Sequence, residues 1–133
     1  MPTQNDPVTA PPTGALPVGG TLAAELRYPD AESALCVLVG ELDIESLAPA
    51  QRALDQALAR SPRVVVVDLS QVGFCDSSGL NLLLKARMTA VAAGIEFRLA
   101  APSPTVRRVL ELTRTDTVLS LHPSAEAALA ATA

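Results

Sequence analysis

Aromatic side chains are almost missing from this sequence: there is no Trp, one Tyr (Tyr28) and two Phe (Phe74 and Phe97). A core without rings must be aliphatic, and a hydrophobic content of 49% is enough to build one. The same scarcity removes the stacking platforms that single-strand nucleic-acid binders use. A formal net charge of -4 also repels phosphate backbones, so neither DNA nor RNA is an expected partner. Histidine occurs once, as His122, and the two cysteines, Cys36 and Cys75, form no CxxC pair. No metal site is therefore expected. No Walker loop is present, and no cofactor is expected. Two isolated thiols fit a reducing compartment. No apolar run is long enough to span a bilayer, and no charged-then-apolar leader opens the chain. The expectation is a cytoplasmic protein with no membrane partner.

What the chain does contain is organised. Residues 1–20 hold five prolines (Pro2, Pro7, Pro11, Pro12 and Pro17) among Thr, Gly and Asn, and read as a flexible tail. From residue 21 onward, strand and helix patterns alternate as one domain. A weak strand is predicted from Thr21 to Tyr28, with a turn at Pro29 and Asp30. A stronger strand follows from Ala34 to Leu42. A helix is predicted from Ser46 to Arg60, capped by Ser46, with Pro49 tolerated in its first turn. Val64–Leu69, VVVVDL, reads as a central strand covered on both faces. A short loop is expected at Ser70–Cys75, then a helix from Ser77 to Ala93 with Leu80, Leu83, Leu84, Met88 and Val91 inward and Gly94 at its end. Ile95–Ala100 is a strand. Ser103 and Pro104 open another helix as N-cap and first residue, with Val106, Val109, Leu110 and Thr113 inward. A strand at Thr117–Leu121 and an Ala-rich helix from Pro123 finish the chain. The pattern predicts an α/β fold: a mixed sheet of four or five strands, the first pair antiparallel, flanked by helices.

The informative segment is Phe74–Leu80, FCDSSGL, placed where a central strand hands over to a helix. Free amides and the positive end of the helix dipole favour negative charge there, so a phosphate on Ser77 would be well placed. By local physics alone, Asp76, Ser77 and Ser78 are ordinary capping residues. The wider sequence adds more. FCDSSGLNLLLKA resembles the signature of STAS-domain anti-sigma factor antagonists. Gly40–Leu54 (GELDIESLAPAQRAL), VVVVDLSQV and PSPTVRRVLELT are similar to further blocks of that family, in the same order. The resemblance spans Thr21–Leu129. Two positions and one stretch depart from the family pattern: Asn81 stands where Gly is usual, Ser46 where Thr is frequent, and TRTD (Thr113–Asp116) where a Thr-Gly-Leu-like turn is common.

The resemblance implies a STAS-like fold and a non-enzymatic, partner-switching role. Its unphosphorylated form would bind an anti-sigma factor that is also a serine kinase, releasing a sigma factor. Phosphorylation would break the complex, and a serine phosphatase would restore it. Carried over by position, the phosphate acceptor is Ser77. Asp43, Asp76, Ser78 and Gly79 are the implied partner-binding positions. A STAS module acting on a partner other than an anti-sigma factor is the alternative within the family.

Two other classes compete. A two-component receiver would use Asp68 as phosphoacceptor, but it also needs an acidic pair for Mg²⁺ and a lysine after its last strand. The only lysine is Lys85, inside a helix. A serine hydrolase needs an activating base, and neither a GxSxG elbow nor an SxxK at Ser77 or Ser78 is present. His122 reads as a capping or exposed histidine, and the Arg107–Arg108 pair as a solvated helix face. One prediction arises from composition alone. Deleting residues 1–20, which cannot bury much apolar surface, should leave the melting temperature of the domain nearly unchanged by calorimetry; a large drop would show that they pack on it.

Overall fold

The computed structural model describes residues 22–131; the predicted N-terminal tail lies outside them. Ten elements follow one another: β1 (Leu22–Asp30), β2 (Ser33–Leu42), α1 (Ala48–Ala59), β3 (Val64–Cys75), α2 (Ser77–Ala92), β4 (Glu96–Ala100), α3 (Pro104–Leu112), a 3₁₀ turn (Thr115–Thr117), β5 (Ser120–His122) and α4 (Ala125–Ala130). The sheet has the order β1-β2-β3-β4-β5. β1 and β2 pair antiparallel, and the other three pairings are parallel. This mixed five-stranded sheet is the expected fold class, with β3 in the centre. A receiver's parallel 2-1-3-4-5 order is not what this chain forms. Asp68 instead makes a local bond within β3, its Oδ1 accepting the Ser70 N–H at 2.9 Å.

Strand residues alternate between two cores because successive side chains point to opposite faces. Cys36 and Leu38 of β2, Val65 and Val67 of β3 and Leu99 of β4 join the larger core beneath α1, α2 and α3. Leu35, Val37, Val64, Val66 and Ala100 form the smaller one, closed by Ala128 of α4. All four valines of VVVV are fully buried, two per face. Each contributes roughly 1.5–3 kcal/mol relative to exposure, as suits a central strand covered on both faces.

Arg98 is a buried cation on the α4 side, a residue that the sequence reading did not single out. Its Nη1 donates to the carbonyls of Ala128 (2.7 Å) and Ala131 (2.8 Å), and its Nη2 lies 3.8 Å from Glu96. It thereby satisfies orphan carbonyls at the end of a six-residue helix that could not persist alone.

Several expectations need correction. The strand predicted at Thr117–Leu121 is confined to β5, Ser120–His122, behind the 3₁₀ turn, and Thr113, predicted inward on α3, is exposed. Three more concern earlier elements. The predicted loop Ser70–Cys75 is the second half of β3, which continues along β2 through two register shifts. Pairing with β4 stops at Asp68↔Ala100, so this half is held on one side only, and its Ser70, Gln71 and Gly73 mimic a loop. Ser46 does not cap α1; the cap is Leu47, with no side-chain bond. On α2, Met88 and Val91 are exposed, and Leu82, Ala86 and Ala90 are buried with Leu80 and Leu83. The helix tilts its small residues toward the sheet, which the larger side chains did not foretell. Ser103, by contrast, caps α3 as expected, and its Oγ also donates to Val72 O at 2.7 Å.

Arg114 follows α3 in the left-handed region at φ 62°. This is the helix-end position where Gly is favoured because it carries no Cβ. Arg114→Gly should therefore stabilise the domain by up to about 1 kcal/mol in urea titrations. A loss would mean that the arginine side chain contributes more than its backbone strain costs.

Candidate functional site

The site forms where β2 and β3 end side by side. Leu42 pairs with Cys75, and the Asp76 N–H donates to Leu42 O at 3.2 Å. Near this end β3 carries one residue more than β2, Gly73, between Val72 and Phe74. Such a bulge re-aims the residues after it. Opposite it, Gly40 takes φ 122°, a conformation open to glycine. The outcome is that Cys75 points into the core while Phe74 turns to solvent.

Asp76 is the N-cap of α2, and its two carboxylate oxygens do different things. Oδ1 accepts the Gly79 N–H at 3.0 Å, an ordinary cap. Oδ2 accepts the Ile44 N–H at 3.2 Å, from the loop between β2 and α1. One side chain thus fixes both the start of α2 and the neighbouring loop. Gly79 makes the approach possible: a Cβ there would overlap Leu42 O and lie 2.8 Å from Leu42 Cγ and 3.1 Å from Cys75 Sγ.

Asp43 shapes the same loop from within. Its Oδ1 accepts the Glu45 N–H at 3.1 Å and lies 2.7 Å from Ser46 Oγ. Ser46, buried, is also 2.8 Å from Glu41 O, and its hydroxyl can donate to either acceptor. Asp43 therefore sits in the chain between Leu42 and Ile44, both of which bond Asp76 through their backbones. The predicted residues Asp43, Asp76, Ser77, Ser78 and Gly79 are brought together at one end of the sheet.

Ser77 is the first residue of α2 and is exposed, whereas Ser78 is half-buried. No hydrogen bond to the Ser77 hydroxyl occurs among the described residues. Two apolar side chains flank the site in the open: Ile44, 72% exposed, and Phe74, 43% exposed. Both lie in the quoted motifs, yet alternation alone could not tell that a bulge and a loop would turn them outward. His122 ends β5 with its Nε2 2.9 Å from Ser120 Oγ, and supplies no base to either serine among the described hydrogen bonds. Burial pushes the Cys36 thiol up to about 12 and, with some help from Asp76, the Cys75 thiol up to about 11. Both are inert core residues. Among the described residues no cluster of metal-ligating side chains forms, and no helix is long and apolar enough to cross a membrane.

Comparison with known proteins agrees with this fold. A family profile described as "Mlab, STAS domain" matches residues 27–122. The chain belongs to the STAS-domain family. The anti-sigma-F factor antagonist RsfB of Mycobacterium tuberculosis is 30% identical over 68% of this chain and 73% of its own length. A crystal structure of an anti-sigma factor antagonist from Mycobacterium paratuberculosis is 30% identical with a TM-score of 0.76, covering 86% of this chain and 96% of that one. The anti-sigma factor antagonist SpoIIAA in its unphosphorylated form is 25% identical with a TM-score of 0.69, covering 80% and 93%. The phosphorylated form of this Bacillus protein shares the fold, at 24% identity and a TM-score of 0.64 over 80% and 96% of the two chains.

The Gly79 contact can be tested directly. Gly79→Ala should cost about 1–3 kcal/mol of stability, the usual range for overpacking, read by chemical denaturation. Ser78→Ala, one residue away and only half-buried, should cost far less. Equal effects would show that the strand-to-helix approach has slack.

Proposed function

We propose that this chain is an anti-sigma factor antagonist that works by partner switching, with Ser77 as the switch. The observation that carries this reading is the exposed Ser77, first in α2 and flanked by Ile44 and Phe74, in a STAS domain similar to anti-sigma factor antagonists. The unphosphorylated chain binds an anti-sigma factor with serine kinase activity and so frees a sigma factor. Ile44 and Phe74 supply apolar contact at that interface, and Asp43, Asp76, Ser78 and Gly79 hold its shape. The chain acts in the cytoplasm as a binding module, not as a catalyst.

The kinase transfers the γ-phosphoryl group of ATP to Ser77 Oγ; the hydroxyl proton passes to the kinase's base and ADP leaves. A serine phosphatase returns the hydroxyl by hydrolysis, releasing inorganic phosphate. Phosphorylation adds about -1.5 to -2 charge at neutral pH. On the N-terminus of α2 the fold tolerates that charge, because dipole and free amides favour it. Under a docked partner, beside Asp76 and Asp43, the same charge meets repulsion and a desolvation cost. The switch therefore acts on the interface and leaves the fold in place.

Ser77→Ala and Ser77→Asp should both remain folded. The cognate kinase should phosphorylate the wild-type chain at Ser77, and not at Ser78 or Ser70, by mass spectrometry. Ser77→Ala should keep its partner. Ser77→Asp should bind at least about tenfold more weakly by isothermal titration, a difference of about 1.4 kcal/mol. Phosphate on another residue, or equal affinity of the two variants, would sink the proposal.

A further inference from the structure

Positions 77, 81 and 85 of α2 lie one helical turn apart, and Ser77, Asn81 and Lys85 are all exposed. Residues four apart on a helix are neighbours, with Cβ atoms about 5–6 Å apart. Helical side chains also lean toward the N-terminus, so Asn81 covers the surface above the turn that Ser77 begins. Among the described residues the Asn81 amide makes no side-chain hydrogen bond and Lys85, the one lysine of the chain, makes no ion pair.

The segments beside the acceptor are acidic. Residues 41–47 carry Glu41, Asp43 and Glu45, residues 73–80 carry Asp76, and neither segment has a Lys or Arg. A phosphate on Ser77 meets like charge on that side, whereas one turn further along α2 it faces Asn81. There the Asn81 Nδ2–H groups can donate to its oxygens, with the Lys85 ammonium a further turn away. The bare Ser77 hydroxyl is too short and too weak an acceptor to engage this row.

We infer that Asn81, backed by Lys85, forms a polar rail that holds the phosphoryl group of phosphorylated Ser77. The inference rests on Ser77 as the acceptor. It makes Asn81 a positioning residue that stabilises the switched-off state and shields its phosphorus from attack, while leaving the unphosphorylated domain unaffected.

The test uses the full chain with phosphoserine genetically encoded at position 77, followed by ³¹P NMR during a pH titration. Hydrogen bonds to the dianion lower the second phosphate pKa. Asn81→Ala should therefore raise it by about 0.3 units, the size of a charge-assisted i, i+4 pair. Hydrolysis by alkaline phosphatase should quicken about twofold, by the same arithmetic. Asn81→Gln keeps the amide and should titrate like the parent. Lys85→Gln should give a smaller rise that vanishes at high salt. Superimposed titrations of the parent and Asn81→Ala overturn the rail, as does an equal rise in Asn81→Gln, which would assign the effect to the helix. Because the phosphoserine is encoded, these outcomes do not depend on a kinase. Phosphate mapped to another serine by the cognate kinase would instead remove the acceptor reading and the rail's biological role with it.

Discussion

The Asp76 carboxylate is the contact on which the functional end of this domain depends. With one oxygen it caps α2 through Gly79, and with the other it holds the Ile44 N–H of the adjoining loop. Its own backbone N–H is tied to Leu42. Strand end, loop and helix start are thus fixed relative to one another by a single residue. Among the described residues Asp76 makes these bonds to Gly79, Ile44 and Leu42 and none to the Ser77 hydroxyl next to it. The serine hydroxyl stays open to solvent because its neighbour satisfies the structural needs of the turn.

The rest of the fold prepares this end. The fully buried valines of β3 anchor the sheet and let the second half of the strand run beyond its pairing with β4. Once β4 has ended, β3 is free to bulge at Gly73, and the bulge turns Phe74 outward. On the other face Arg98 holds the end of α4 by its carbonyls, closing the smaller core over β3 and β4. A rigid sheet therefore presents an apolar, acid-rimmed surface around one exposed hydroxyl. A charge added there would leave the packing underneath untouched, which is what the proposed switch requires.

Much of this was legible in the sequence. Periodicity and the VVVV run determined the alternation of strands and helices, the central strand and the α/β class, because burial on both faces demands uninterrupted apolar residues. Ser103 before Pro104 announced the start of α3, since capping chemistry is local. FCDSSGL marked a helix N-terminus, and the hydroxyls and carboxylate found there follow from short-range rules. Tertiary structure decided the rest. The second half of β3 read as a loop because its pairing partner lies some thirty residues away and the bulges break the alternation. Ser46 looked like a cap but is drawn into the loop by Asp43 and Glu41. Nothing in the sequence singled out Arg98, because its burial depends on α4 folding over it. Long-range pairing set the second grip of Asp76 on Ile44 and the outward turn of Phe74, because both depend on which strand ends meet and pattern in a single stretch of chain carries no record of that.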